Sequence, residues 1–471
     1  FSTGEVQEDE FTLHVLPARK APMVKAAIAL YDPPGETAKL LDELGVEFRP
    51  VQTADDLSGC ELLVIGKKAL TVDGAAPDLS RVPAGLNVVM FEQTKDVLEH
   101  RLGFRVQEHG FRRAFPRVPD HPVLDGLSAE HLRDWRGEAT LVPPTMPLGE
   151  LITYPQVKWC GFDTPRAGRA GCCGNVSSVM IEKPAAGDFL PLLDGGFNLQ
   201  YSPLMVYREG RGMVVFCQVD VTGRTATDPA AARLAANLLE FAGARQASRR
   251  RTVVYAGEPE GLAHLKAAGT AVEPYGNQPL SDEHVLVLGP GAAEQVGDTA
   301  AASAWLRGGG RALALALDGD AARRLLPWPV AMEVGEHIAC RFDPVGADSP
   351  LAGVGCGETM IRDPRKAPLV TGGAEPLGDG VLALAGEGRA VLCQLAPWHF
   401  DYKDMYNTKA AFRHLSFAVS RVLGNMGVAL ETPLLAHAAR PAGPYETRWL
   451  NGLYLDEPVR NDDDVYRFFR W

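Results

Sequence analysis

The chain has 471 residues, a formal net charge of −12 and 46% hydrophobic residues. This length predicts two or three domains rather than one compact core. The acidic balance argues against nucleic acid and anionic membranes as partners, and no apolar run reaches the length of a membrane span. Eight cysteines in so long a chain do not make a disulfide scaffold and leave the redox compartment open.

Residues 1–22 are predicted to be a terminal strand of an upstream β-domain, or a linker. Glu10–Leu16 alternates and then runs apolar, which is typical of a last β-strand, and Pro17 ends it. A single strand cannot bury itself, so we expect its sheet to lie upstream or the segment to pack on the body as an edge strand. The start at Phe1, without a methionine or signal-like segment, favours a piece of a longer or processed protein.

The segment from 23 to 245 is predicted to be a first α/β domain. Short apolar runs alternate with helical patterns, and they culminate in Met213–Cys217 after a glycine-bounded turn. Asp228 then stands directly before Pro229, a pair that suits the cap and first turn of a helix. Strands alternating with helices at this spacing predict a parallel sheet with helices on both faces.

A second series of segments, from 250 to 428, repeats this pattern in the same order. A strand is predicted at Thr252–Ala256, and LAGEGRAVLCQLAPW at 384–398 repeats the strand-to-loop stretch at 208–224. These correspondences predict a tandem duplication. The fold class is therefore predicted as α/β, with two tandem doubly wound, Rossmann- or flavodoxin-like parallel-sheet domains.

The first copy carries an insertion of about 47 residues, because the offset between the copies is 223 at Gly66 and Gly289 but 176 at Cys217 and Cys393. We place it at about 128–207 and expect a small β-rich extension packed on another surface. The segment 429–471 combines prolines, acids and aromatic residues, and is predicted to be an extended tail that packs across another surface.

Ligands of doubly wound sheets bind at the carboxyl ends of the strands, so the residues that follow the strands are the candidates for chemistry. These read Glu92-Gln93-Thr94 and Gln218-Val219-Asp220 in the first half. The second half has Asp318-Gly319-Asp320 and then Gln394-Leu395-Ala396.

In this order both halves resemble class I glutamine amidotransferase-like domains, a fold that also occurs without catalysis as an accessory domain of β-galactosidases. The resemblance implies a nucleophilic cysteine at the first position and a general-base histidine at the second. Neither half has them: Asp220 and Ala396 stand where the histidine is expected. Amidotransferase chemistry is therefore excluded. No sequence motif indicates a bound cofactor, and none is expected.

Glu92 and Asp220 remain the catalytic candidates, since glycosidases work with two carboxylates. The favoured alternative is that they cap helices or bond the neighbouring turn, which leaves no catalytic residue. His399 and Asp401 could bind a metal in principle, but a loop rich in aromatic residues is favoured and no metal is expected. Cys172 and Cys173 lie in a glycine-rich loop without partners at metal-ligand spacing.

Several motifs together resemble the C-terminal regions of large bacterial glycoside hydrolases with a family-two-like organisation. They are HPVLDGLSAEHLRDWRGEATL at 121–141, EKPAAGDFLPLLDGGFNLQY at 182–201, REGRG at 208–212, YLDEP at 454–458 and DDDVYRFFRW at 462–471. The resemblance implies a non-catalytic part that braces or oligomerises such an enzyme and lines its cleft. It also implies a secreted or periplasmic location.

The partners that the resemblance implies are an upstream catalytic barrel or a companion chain, a polysaccharide or oligosaccharide, and further copies of this chain. Two alternatives stay open. One is an autonomous glycan hydrolase that uses the carboxylates at the sheet edge or around Asp401. The other is a carbohydrate-binding module, whose candidate residues are Trp159, Trp398, His399 and Tyr402, with Tyr406 as a further member of an aromatic platform.

Overall fold

The structure is a computed structural model. It describes residues 4, 6, 8–10, 12–17, 21–137, 140–141, 157–159, 162–164, 174–196, 199–244, 250–400, 406–443, 446 and 448–450. None of the helices in these ranges combines the length and the apolar character that crossing a membrane requires.

The elements of this part of the chain alternate between strands and helices. The strands are β1 (Ile28–Tyr31), β2 (Arg49–Pro50), β3 (Leu62–Ile65), β4 (Asn87–Met90), β5 (Val106–Phe111), β6 (Phe115–Pro116), β7 (Val157–Trp159), β8 (Phe162–Thr164), β9 (Ser177–Glu182), β10 (Phe189–Gly195), β11 (Tyr201–Glu209), β12 (Gly212–Cys217), β13 (Thr252–Ala256), β14 (Val272–Pro274), β15 (His284–Leu288), β16 (Arg311–Leu315), β17 (Ala331–His337), β18 (Arg365–Gly372), β19 (Glu375–Leu377), β20 (Leu382–Ala385) and β21 (Ala390–Cys393). The α-helices are α1 (Glu36–Leu44), α2 (Pro229–Gly243), α3 (Pro259–Ala267), α4 (Ala292–Gln295), α5 (Thr299–Arg307), α6 (Gly319–Leu325), α7 (Cys356–Thr359), α8 (Tyr406–Asn425) and α9 (Leu434–Ala439).

The larger sheet holds ten strands among the described residues, in the order β2-β1-β3-β4-β12-β11-β10-β6, with β5 and β9 joined at the side. From β2 to β12 neighbouring strands run parallel, whereas β11 and β10 are antiparallel. Strands β3, β4 and β12 are buried along their whole length. Continuous apolar runs are what a parallel sheet covered on both faces requires.

The smaller sheet has the order β14-β13-β15-β16-β21-β20-β19. It is parallel from β14 to β21 and antiparallel at β20 and β19. Each strand of this sheet therefore has a counterpart of the same direction at the same place in the larger one. The prediction of an α/β fold rich in parallel strands is confirmed.

Local signals explain where the helices of the first half begin and end. Helix α1 ends at Gly45, whose φ of 71° and amide bond to Asp42 O close the last turn. Asp228 caps α2 because its side chain accepts from the amides of Ala230 and Ala231, and Pro229 fills the first turn. These caps fix where each helix leaves the sheet.

Apolar side chains cover both faces of each sheet. In the larger sheet, α1 and α2 pack with Val64, Val89 and Val215 on one face, while Ile65, Met90 and Phe216 point into the other. In the smaller sheet, α3 and α8 pack on one face and α4, α5 and α6 on the opposite one. The core is therefore made of layers, one on each side of each sheet.

Two regions differ from the sequence prediction. The described residues 8–10 and 12–17 form no strand, and Leu13 and Val15 are exposed. The range 128–207, predicted as an insertion, contains β10 and β11, which occupy the sheet positions that β19 and β20 occupy in the second half. The additional residues of the first half therefore lie mainly before β10.

The chain returns to the first half after the second sheet. Leu434, Leu435 and Ala438 of α9 are buried in the core on the β3–β4–β12 sheet, together with Leu450. The Leu450 amide donates to Gly103 O at 3.2 Å. Helix α9 and Leu450 thus pack on the first half.

Candidate functional site

The carboxyl edge of the larger sheet brings Glu92 and Asp220 close enough for the charge of Asp220 to act on Glu92. Glu92 follows β4 and Asp220 follows β12, and both side chains are 0% exposed. Glu92 accepts from the amide and the hydroxyl of Thr222, each at 2.8 Å. Asp220 accepts from the hydroxyls of Ser178 and Thr140, each at 2.8 Å. Glu92 thus holds the turn at Thr222, whereas Asp220 holds Ser178 of β9 and Thr140, which lie far from it in the sequence.

The electrostatics of this pair follow from its burial. Burial, and secondly the charge of Asp220, raise the pKa of Glu92 to about 7. Burial also raises the pKa of Asp220, against the hydrogen bonds from Ser178 and Thr140 and the charge of Arg224. Two carboxyl groups in one dry site resist ionising together. The pair therefore holds a proton near neutral pH, but neither oxygen pair is open to a dissolved substrate.

A pair of glutamines fixes the elbow after β4, where the family resemblance implies a nucleophile. The Gln93 side chain donates to Gly66 O at 2.8 Å and to Phe91 O at 2.6 Å, and accepts from the Leu70 amide at 3.1 Å. The Gln218 side chain accepts from the Gln93 amide at 3.1 Å. These bonds give hydrogen-bond partners to the buried backbone groups around the elbow. Gln93 therefore holds the neighbouring loops in place.

The matching edge of the smaller sheet carries a different set of groups. Asp318, after β16, is exposed and caps α6 by accepting from the Ala321 amide at 2.8 Å. After β21 come Gln394, Leu395 and Ala396, all buried. This edge therefore has no buried carboxyl pair corresponding to Glu92 and Asp220 within the described residues.

Trp398 and His399 instead gather around Glu258, which follows β13. The Trp398 indole N–H donates to Glu258 Oε1, and His399 Nε2 lies 2.7 Å from the same oxygen. The Trp398 ring lies 5.5 Å from the ring of His264. A Cβ at Gly261 would overlap the indole, so Gly261 permits its close packing. Trp398 is thus anchored within the fold, and its ring is partly covered.

The other residues predicted for carbohydrate or metal binding are only partly within the described ranges. Tyr402, Asp401, Cys172 and Cys173 lie outside them, and so does the side chain of Trp159, although its backbone ends β7. Where side chains are described, no group of three or more His, Cys, Asp or Glu residues could hold a metal ion. The cysteines described there are free.

Sequence reasoning missed the buried ion pairs that join the two halves. Lys183 lies after β9, and its Nζ is 2.9 Å from Asp194 and 2.7 Å from Glu358 of α7. Arg117 completes this group at 2.5 Å from Asp194. All of these side chains are at least nine-tenths buried. They neutralise each other across the contact between first and second half.

A second group of ion pairs lies along α8. Glu182 is 2.7 Å from Arg105 and 3.3 Å from Arg413 of that helix. Burial alone would raise the pKa of Glu182, but the two guanidinium groups lower it to about 2. Asp188 pairs at 2.7 Å with Arg421, which lies about two helical turns beyond Arg413 in α8. The sequence signal for these contacts is limited to charges at the ends of apolar strands and on helix α8.

Comparisons with known proteins show no family for this chain. No family model matches the chain, and no curated protein matches it. Among solved structures, PurLQS from Thermotoga maritima is similar over 37% of this chain and 98% of that one, at 10% identity and a TM-score of 0.24.

Proposed function

We propose that this chain is a non-catalytic structural and oligomerisation part of a glycoside hydrolase, which braces the catalytic domain and lines its substrate cleft. In this proposal its two halves are tandem doubly wound domains of the class I glutamine amidotransferase-like type. The matching strand order and directions of the two sheets support the duplication. The association with glycoside hydrolases rests on the resemblance of the sequence motifs.

The absence, at both sheet edges, of the cysteine and histidine that the family resemblance implies supports a role without catalysis. Neither half has a cysteine after its fourth parallel strand or a histidine directly after its fifth. The remaining acids of the first edge are fully buried and hold Thr222, Ser178 and Thr140. A glycosidase needs two carboxyl groups that flank a bond of the substrate, which requires access to both.

The observation that carries the proposal is the network of buried charges between the halves. Lys183 bonds Glu358, and Glu182 bonds Arg413, so each contact joins the first half to a helix of the second. Buried pairs of this kind tolerate little displacement, because separating them leaves an uncompensated charge out of water. Two sheets held in one fixed arrangement are suited to bracing a neighbouring domain.

The direct test is to assay the purified chain alone on nitrophenyl glycosides and on polysaccharides. We expect no turnover above a blank without protein. Turnover that Glu92→Gln or Asp220→Asn abolishes would overturn the proposal in favour of an autonomous hydrolase. Sedimentation velocity tests the oligomerisation part: we expect a dimer or trimer, and a monomer at all concentrations would contradict it.

The alternative of a carbohydrate-binding module has less support at Trp398. Its indole N–H is engaged by Glu258, and its ring packs near His264. Affinity electrophoresis on soluble glycans, with Trp398→Ala as the variant, distinguishes the two functions. Retardation of the wild type that is lost in the variant would favour the binding module.

A further inference from the structure

A cleft of about 610 Å³ lies where the two halves meet, on the side opposite to the carboxyl edge of the larger sheet. The turn between β11 and β12 forms one wall, and the end of α8 with the residues after it forms the other. The charged groups that line it include Arg208, Glu209, Arg211, Arg250 and Glu431. Its volume lies within the range of pockets for small molecules.

The positive charges of this cleft exceed what its own carboxylates neutralise. Asp188, at the inner wall, is already paired with Arg421 at 2.7 Å. Arg208 lies near Arg421, and the repulsion between the two guanidinium groups contributes to lowering the pKa of Arg421 after the larger effect of burial. The Asp188 carboxylate is therefore already engaged by Arg421, in a chain whose net charge is −12.

Arg208 is half-buried, and among the described residues its guanidinium makes neither a hydrogen bond nor an ion pair. A guanidinium offers five N–H donors in a planar fork that matches an oxyanion. The donors of Arg211 and Arg251 are partly used, by Ala84 O at 2.8 Å and by Met426 O at 2.6 Å. Arg208 is therefore the group of the cleft best placed to receive an anion.

The wall that carries Arg208 is held in place before any ligand arrives. The Arg208 amide donates to Asp188 O at 3.1 Å, and the residue pairs with Met213 in the sheet. A Cβ at Gly210 or Gly212 would overlap carbonyl oxygens of Pro83, Val82 or Leu86, so the turn packs closely against that loop. A preformed wall lowers the entropic cost of binding.

The other end of the cleft offers acceptors. Glu209 is half-buried, Glu431 is exposed, and they are close enough to repel each other. Arg250 faces Glu209 and partly offsets this repulsion. Glu209 also accepts from the Tyr207 hydroxyl at 2.6 Å. Carboxylates in such a place accept hydrogen bonds from hydroxyl groups, so this end suits a ligand rich in hydroxyls.

We propose that the cleft binds an acidic sugar, with its carboxylate or sulfate group on Arg208 and its hydroxyl groups donating to Glu209 and Glu431. The choice of a saccharide rests on the proposed function, whereas the placement of the acidic group rests on the geometry of Arg208. The site holds its ligand without reacting with it. It would give a structural part of a glycan-degrading enzyme a preference for charged glycans.

The test is isothermal titration calorimetry of the whole chain with glucuronate, glucose 6-sulfate, glucose and inorganic sulfate. We expect at least one acidic sugar to bind at least about tenfold more tightly than glucose and than inorganic sulfate, because only it uses both ends of the cleft. Arg208→Gln should weaken that binding at least about tenfold. The matched control is Arg389→Gln, which removes a half-buried arginine bonded to Arg307 O outside the cleft and should change affinity less than about twofold.

Three results would overturn this proposal: no binding of either acidic sugar, equal binding of inorganic sulfate, or the same loss in Arg208→Gln and Arg389→Gln. Circular dichroism of both variants checks that they fold. Because the titration detects binding and the glycoside assay detects turnover, the cleft and the proposed structural role can fail separately.

Discussion

The two sheets share one strand order, but the acidic side chains at their carboxyl edges differ in exposure to solvent. In the first half, Glu92 and Asp220 are sealed from solvent and satisfied by hydroxyl groups and an amide. In the second half, Asp318 is exposed at the start of α6, and Glu258 with His399 forms a partly exposed pair. The same scaffold therefore supports a dry, proton-holding edge and a solvated one.

The extra strands of the first half account for the difference. Ser178, which bonds Asp220, belongs to β9, and β9 pairs with β5 at the side of the larger sheet. The smaller sheet has no such strands among the described residues. The added strands β5 and β9, rather than the strand order that both sheets share, thus decide whether a carboxylate at the sheet edge is buried. The following predictions test this contrast, beginning with the largest expected effect.

Replacing Lys183 by Met should lower the free energy of unfolding by about 3–5 kcal/mol, because it leaves Asp194 and Glu358 buried with one cation fewer. Urea denaturation measures this change. The control is Arg323→Met in the second half, whose partner Asp320 is 85% exposed, and it should cost less than about 1 kcal/mol. Equal, small costs would mean that the charges between the halves are solvated.

The stability of the first half should fall as the pH rises through 7. The folded pKa of Glu92 is about 7, above its ordinary value of 4.5, so the folded state retains a proton that the unfolded chain releases. This contribution is complete below pH 4.5 and is lost as the pH passes 7. Glu92→Gln should therefore gain stability relative to the wild type, by about 2–3 kcal/mol between pH 5 and pH 8.

Urea midpoints at several pH values measure this gain. Glu182→Gln provides the opposite sign, because a carboxyl with a pKa of about 2 stabilises the fold above pH 4.5 and loses that effect as the pH falls. A difference between wild type and Glu92→Gln that stays constant with pH would show that this carboxyl has an ordinary pKa.

Two glycines at different positions of the corresponding turns, Gly210 and Gly388, should respond unequally to alanine. Gly210 precedes β12 and Gly388 precedes β21, with φ values of 66° and 80°, so both alanine variants cost about 1 kcal/mol from backbone strain. Only at Gly210 does the new Cβ overlap a carbonyl, that of Pro83. We expect Gly210→Ala to cost at least about 1 kcal/mol more in thermal unfolding. Equal costs would mean that the loop at Pro83 moves to accommodate the new Cβ without a loss of stability.

The smallest effect is expected at the exposed edge. Trp398→Phe removes the indole N–H that Glu258 accepts but keeps an aromatic ring, so it should cost about 1 kcal/mol. Glycan binding in affinity electrophoresis should not change. Loss of glycan retardation with unchanged stability would instead assign Trp398 to a sugar platform.

The sequence predicts local elements well, because their signals are local. Thr252–Ala256 is predicted and observed with the same ends, since a short apolar run is bounded by polar residues. The start of α2 follows from Asp228 and Pro229 alone. The sequence pattern instead places strand β10 in an insertion, because Pro191 and the glycines that flank the strand obscure its place in the sheet.

The candidate site is predictable only in part. The strand order places Glu92 beside Asp220, but their burial depends on Ser178 and Thr140, which lie far from them in the sequence. The pair of Lys183 with Glu358 joins residues 175 positions apart, and no periodicity marks it. Partners of buried charges emerge from tertiary packing, which a single sequence does not encode in readable form.

The return of the chain to the first half has a topological consequence. The second half is entered between Ala244 and Arg250 and left through Thr432, which bonds Tyr207, and α9, which is buried in the first core. Both ends of the second half are therefore attached to the first half. A single protease nick between Ala244 and Arg250 would leave two fragments that still migrate together under native conditions. Pulling the halves apart would first require stripping α9 from the first core.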